Sequence, residues 1–100
     1  MFGAEEILDT LSQNLSDLAV NFYIERIGIF GSYATGRQTE ESDIDFVVQF
    51  RSECPNLFDV KCNLKEYLSS LFGKDVDVAN IKFIKPFVME YIKPEIRYVD

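Results

Sequence analysis

Histidine is absent from this chain of 100 residues. Its absence removes Ser-His and Cys-His nucleophile pairs, His-ligated zinc and an imidazole general base together. Cysteine is scarce. Cys54 and Cys62 lie eight apart without a Cys-x-x-Cys pattern, and read as two ordinary thiols of a reducing compartment. Basic residues are few as well, ten Lys and Arg against seventeen Asp and Glu, for a net charge of −7. That balance excludes a non-specific grip on DNA, RNA or an anionic membrane, which depends on clustered Lys and Arg. No apolar run approaches the length of a transmembrane helix. The start, Met1-Phe2-Gly3-Ala4-Glu5-Glu6, carries acids where a signal peptide needs bases, so a soluble cytoplasmic protein is expected. No repeat, linker or low-complexity segment interrupts the chain.

What is present is the composition of a globular domain, 47% hydrophobic and 27% charged, in a length suited to a single domain. Ile7, Leu8, Leu11, Leu15, Leu18, Ala19 and Phe22 recur at helical spacing and predict one amphipathic helix over residues 4–21. A strand is expected from Ile24 to Phe30, stopping at Gly31-Ser32. A short helical turn and polar loop follow to residue 42, then a second strand over 43–50. Asn56, with Asp59 three residues on, reads as a capping-box start for a second long helix that Gly73 ends. Leu57, Val60, Leu64, Leu68 and Leu71 form its expected buried stripe. Asp75 to Ala79 predicts a third strand, Pro86 the first turn of a short helix to about Ile92, and Ile96 to Val99 an edge strand. Alternating helices and strands indicate a sheet covered by helices.

The chemistry concentrates between the first two strands. Residues two apart on a strand share a face, so Asp43 and Asp45 project together while Ile44, Phe46 and Val48 face the core. Paired carboxylates raise each other's pKa unless a cation sits between them, and hard oxygen donors suit Mg²⁺ or Mn²⁺. Ten residues earlier, Gly31-Ser32 offers backbone N–H groups and a hydroxyl to a phosphate. The acidic balance does not exclude a nucleotide, because bound Mg²⁺ reverses the local sign. Asp77, mid-strand between Val76 and Val78, is preferred as a third acid of a two-metal site over Asp75, which reads as a solvated turn residue. Arg37 is a candidate phosphate contact, although a loop arginine is about as often only solvated. Glu40 and Glu41 read as solvated loop, and Lys82, Lys85 and Lys93 as a sparse basic surface. Tyr33, Tyr67 and Tyr91 read as amphipathic residues at the core edge, with stacking on a base as the alternative for an exposed one. Each short motif alone is more often structural; their conjunction at this spacing reverses that judgement.

Gly31-Ser32, ten intervening residues and Asp43-Ile44-Asp45 resemble the signature of the DNA polymerase β-like nucleotidyltransferase superfamily. Gly31-Ser-Tyr-Ala-Thr-Gly36, Ser42-Asp-Ile-Asp-Phe-Val-Val48, Val76-Asp77-Val78 and the tail from Tyr91 to Ile96 are similar to its minimal nucleotidyltransferase (MNT) branch, over about residues 20–99. Thr35 stands where many relatives carry a basic residue. The resemblance implies a single-domain α/β (α+β) nucleotidyltransferase fold with a mixed sheet packed by helices. It implies Asp43 and Asp45 as metal ligands, Asp77 as the third acid, and Gly31 and Ser32 as triphosphate contacts. The expected activity is Mg²⁺-dependent transfer of a nucleoside monophosphate, AMP from ATP, to a hydroxyl, with release of pyrophosphate. Larger members carry an acceptor-binding domain for which 100 residues leave no room. MNT proteins are commonly paired with a HEPN-domain protein in toxin–antitoxin modules, so a HEPN partner is expected as protein acceptor. The alternative is a non-catalytic MNT subunit that neutralises its partner by binding alone. No membrane or direct nucleic-acid partner is expected, and a homo-oligomer is left open.

Overall fold

The computed structural model describes residues 3–99. In chain order the elements are α1 (Ala4–Gln13), α2 (Leu15–Phe22), β1 (Ile24–Phe30), α3 (Gly31–Thr35), β2 (Ile44–Phe50), α4 (Leu57–Phe72), β3 (Val76–Asn80), α5 (Pro86–Ile92) and β4 (Arg97–Val99). Two 3₁₀ turns, Ile81–Phe83 and Lys93–Glu95, bracket α5. The strands form one mixed sheet in the order β3-β2-β1-β4. β1 runs antiparallel to both β2 and β4, whereas β2 and β3 are parallel and joined through α4. No helix among the described residues is long and apolar enough to cross a membrane.

Alternation along the strands decides which face is buried. Ile44, Phe46 and Val48 of β2, Ile27 and Ile29 of β1, and Val76 and Val78 of β3 join Ile7, Leu11, Leu18, Leu64, Leu68 and Phe72 in one core. A register shift between Ile24 and Arg26 turns Ile24 to the same side as Ile27, which strict alternation would forbid. The other face carries Asp45 and Asp77. It also carries Val47, which is fully buried and lies outside the core cluster. Gly28 lies on that face opposite Tyr98, and a Cβ there would stand 2.5 Å from the Arg97 carbonyl oxygen and 2.9 Å from Tyr98 Cα. Arg26 stacks over the Tyr98 ring at 3.7 Å.

Four expectations need correction. The first helix breaks in two at Asn14. Asn14 Nδ2 donates to the Thr10 carbonyl at 2.8 Å, competing with the helical ladder, while its Oδ1 accepts from Tyr67 Oη at 3.3 Å. Asn56 does not cap α4 through its side chain, because its backbone is left-handed (φ 45°) rather than extended as capping requires. The buried residues of α4 are Leu64, Leu68 and Phe72, with Leu57, Val60 and Leu71 only half-buried. The tyrosines also divide. Tyr33 is fully buried, Tyr67 is half-buried against Phe22 with ring centroids 5.0 Å apart, and Tyr91 is exposed. Gly73 ends α4 in the left-handed region as expected, Pro86 opens α5, and β4 lies at the sheet edge. Cys54 and Cys62 are free thiols.

Gly28→Ala pushes a methyl into the β4 backbone, which has no flexible end to yield. The expected cost is about 1–3 kcal/mol, read as a fall in Tm of at least about 4 °C by thermal melting.

Candidate functional site

The site forms where β1 ends and β2 and β3 begin. Phe30 pairs with Asp45, and Asp45 with Asp77, so the end of β1 and the starts of β2 and β3 lie side by side. Asp43 precedes β2 by one residue and is exposed, as is Asp77; Asp45 is half-buried. Gly31 turns the chain from β1 into α3 with φ +75°, and a Cβ on it would collide with the Asp45 carboxylate. The left-handed backbone favours glycine here, and any Cβ would also force the Asp45 carboxylate to turn aside.

The carboxylates feel one another. Burial, then Asp77, Asp43 and Glu95 in decreasing order, push the Asp45 carboxyl up to about 6. Asp77 therefore acts on Asp45 electrostatically, and Asp75 is not among the causes. Asp75 instead contributes its carbonyl, which accepts from Ile44 N at 3.2 Å and helps align β2 with β3. Among the described residues, no three Asp, Glu, Cys or His side chains are placed as a ready-made metal cage. The donor set nonetheless suits a hard divalent cation that takes oxygens from a phosphate or water as well as from protein. It consists of carboxylates alone, one of them held protonated to unusually high pH by burial and by its neighbours.

Glu95 is the residue that sequence reasoning missed. Its Oε1 accepts from Gly31 N at 3.3 Å, and its Oε2 lies 3.5 Å from Arg37 Nη2. Gly31 and Arg37 are thus brought together on a carboxylate of the chain itself. Sixty-four positions separate Gly31 from Glu95, so no local pattern could signal the contact; the resemblance of the tail segment was the only hint. Thr35 orders the same corner. Its hydroxyl donates to the Gly31 carbonyl at 3.0 Å and accepts from Arg37 Nε at 2.9 Å. Ser32, half-buried, is the second residue of α3, and its carbonyl accepts from Arg37 N at 2.9 Å. The loop to β2 is pinned by Ser42 Oγ, which accepts from Thr39 N at 2.9 Å, and by Lys74 Nζ, which donates to the Glu40 carbonyl at 2.7 Å. Glu40 and Glu41 are exposed, as expected.

Residues 5–99 match the family model described as a nucleotidyltransferase domain. The protein adenylyltransferase MntA of Thermococcus cleftensis is 35% identical over 99 residues, covering 99% of this chain and 98% of that one. Among solved structures, a toxin–antitoxin with AMP-PNP is similar with a TM-score of 0.69 and 22% identity, over 87% of this chain and 70% of that chain. A tri-AMPylated Shewanella oneidensis HEPN toxin in complex with MNT antitoxin gives 0.62 and 18%, over 91% and 70%. At those identities the structural likeness speaks to fold.

A carboxyl that binds its proton more tightly in the folded state stabilises the fold while protonated and loses that contribution as it ionises. In metal-free buffer, Asp45 therefore makes stability fall as pH rises from its ordinary 3.8 through about 6. Asp45→Asn is expected to remove that slope and raise stability at pH 7 by about 1 kcal/mol, after discounting for solvent screening at a half-exposed group. Thermal melts across pH 4–7 in EDTA check this; an unchanged slope would contradict the crowding of the acids.

Proposed function

Because this chain belongs to the nucleotidyltransferase-domain family, we propose that it moves AMP from ATP to a side-chain hydroxyl of a separate HEPN-domain protein, as the antitoxin of a toxin–antitoxin pair. The observation that carries this reading is the stacking of Asp45 on Asp77, with Asp43 close enough to perturb Asp45, against the space left by Gly31. Support for the substrate and acceptor comes from a whole-length relative named as a protein adenylyltransferase and from neighbours solved with AMP-PNP and with an AMPylated HEPN toxin.

In the proposed reaction the acceptor oxygen forms a bond to the α-phosphorus and the bond to the α–β bridging oxygen breaks, so that pyrophosphate leaves. Asp77, exposed beside Asp45, accepts the hydroxyl proton. Asp43, Asp45 and Asp77 would hold Mg²⁺, which when bound supplies positive charge against the triphosphate. Gly31 and Ser32 would present the start of α3 to the β/γ end of the nucleotide, and Arg37 would add a cation. Glu95 occupies the Gly31 N–H and the Arg37 guanidinium in this structure. A polyphosphate seated there would replace a singly charged carboxylate by a more highly charged anion on the same donors. The alternative reading is a chain that neutralises its partner by contact and transfers nothing.

The experiment is to incubate the chain with its HEPN-domain partner, ATP and Mg²⁺, and to weigh both proteins. AMP increments on the partner are expected, reduced about 10²–10³-fold or more by Asp43→Asn or Asp45→Asn. Asp77→Asn is expected to slow transfer more than it weakens ATP binding, and Asp75→Asn to change neither. Neutralisation that persists with Asp43→Asn and adds no mass would establish the contact-only reading. Calorimetry supplies an independent check: ATP affinity is expected to be lost in EDTA and restored by Mg²⁺.

A further inference from the structure

Six large hydrophobic side chains are exposed among the described residues, and four of them lie on one segment. Val20 and Phe58 stand apart on α2 and α4, as scattered apolar residues ordinarily do. Phe87 and Tyr91, 72% and 79% exposed, are one turn apart on α5 with Val88 between them. Phe83, 67% exposed, ends the 3₁₀ turn just ahead. Ile92 is buried and anchors the helix, so α5 is held down by one side while its aromatic rings point to solvent.

The charge pattern around these rings runs against that of the chain as a whole. Over residues 81–93 three lysines, Lys82, Lys85 and Lys93, face a single acid, Glu90, in a protein of net charge −7. All three lysines are exposed, and Lys82 Nζ lies 5.9 Å from the Phe83 ring centroid. An acidic partner is repelled by most of this molecule and admitted here. The helix also leads straight into the site: α5 passes through the 3₁₀ turn Lys93–Glu95, whose Glu95 binds Gly31 N and Arg37. Tyr91 and Glu95 are four residues apart, about 6 Å along a helical path.

We propose that Phe83, Phe87 and Tyr91, rimmed by Lys82, Lys85 and Lys93, form the docking surface for the acceptor protein, which presents an apolar face edged with carboxylates. The inference rests on the reading of this chain as a transferase acting on a separate protein, and it says where that protein sits. Aromatic anchors inside a charged rim are the arrangement that concentrates binding energy at interfaces. Docking on α5 places the acceptor about one helical turn from Glu95, the residue that holds the start of α3.

The test uses the full chain and its purified HEPN-domain partner, with affinity, ATP binding and adenylylation measured separately. Phe87→Ser and Tyr91→Ser are each expected to weaken partner affinity about 30-fold and to leave ATP binding and the melting temperature unchanged, since both side chains are exposed. Lys82→Glu with Lys85→Glu is expected to weaken it further and to flatten its dependence on salt. Partner affinity unaffected by the aromatic variants, with adenylylation intact, would overturn the surface and leave the transferase reading standing. Lost affinity in the variants, with no AMP on the partner of the wild-type chain, would uphold the surface and overturn the reading. If light scattering shows the wild-type chain as a dimer that the variants convert to monomer, with partner affinity unchanged, the stripe is a self-association surface and the proposal falls.

Discussion

The approach of the Asp45 carboxylate to Gly31 constrains everything around it. A side chain at position 31 would occupy the carboxylate's place, and the left-handed backbone there would strain any other residue. Phe30 at the end of β1 pairs with Asp45 at the start of β2, and the acid remains half-buried at the sheet's end beside Gly31. The price is electrostatic: Asp45 lies among Asp77, Asp43 and Glu95, and burial and repulsion together keep its proton on to about pH 6. A site that repels its own charges is ready to bind a cation, and the fold tolerates it because Asp43 and Asp77 are exposed and Glu95 has Gly31 N and Arg37 as partners.

A ring of small polar contacts keeps this corner in shape. Thr35 bridges the Gly31 carbonyl and the Arg37 guanidinium, Arg37 reaches Glu95, and Glu95 returns to Gly31 N. The circuit ties α3 to the turn before β4, so the last strand is connected to the site as well as to β1. At the opposite end of the sheet Arg51 does comparable work. Its Nη1 donates to the Ala19 carbonyl at 2.7 Å, close to the C-terminus of α2 where a cation is favoured, and its N donates to the Tyr23 carbonyl at 2.7 Å. The helical layer is thereby fastened to the sheet on both sides of the core.

Local pattern carried much of the architecture. The alternation of Ile44, Phe46 and Val48 with Asp45 set which face of β2 is buried, and the same logic on β3 separated Asp77 from Val76 and Val78. Pro86 and Gly73 marked helix ends because ring closure and a missing Cβ restrict or free the backbone at one residue, without help from elsewhere. The unbroken first helix and the Asn56 cap failed for the complementary reason. An asparagine can bond to its own backbone in several ways, and its neighbours in space choose among them; at Asn14 one neighbour is Tyr67, fifty-three positions away.

By itself, then, the chain's order of residues determined the four strands, the long helix before Gly73 and which faces of β2 and β3 are buried, since these depend on backbone periodicity and on the chemistry of single side chains. Tertiary structure decided what those residues meet. The parallel passage through α4 placed Asp77 in register with Asp45 rather than one pleat away. The return of the chain after α5 brought Glu95 onto Gly31 and Arg37, and left the aromatic stripe of α5 facing solvent. Such contacts join positions far apart in the chain, and their geometry follows from how whole elements pack, which no short stretch of sequence encodes.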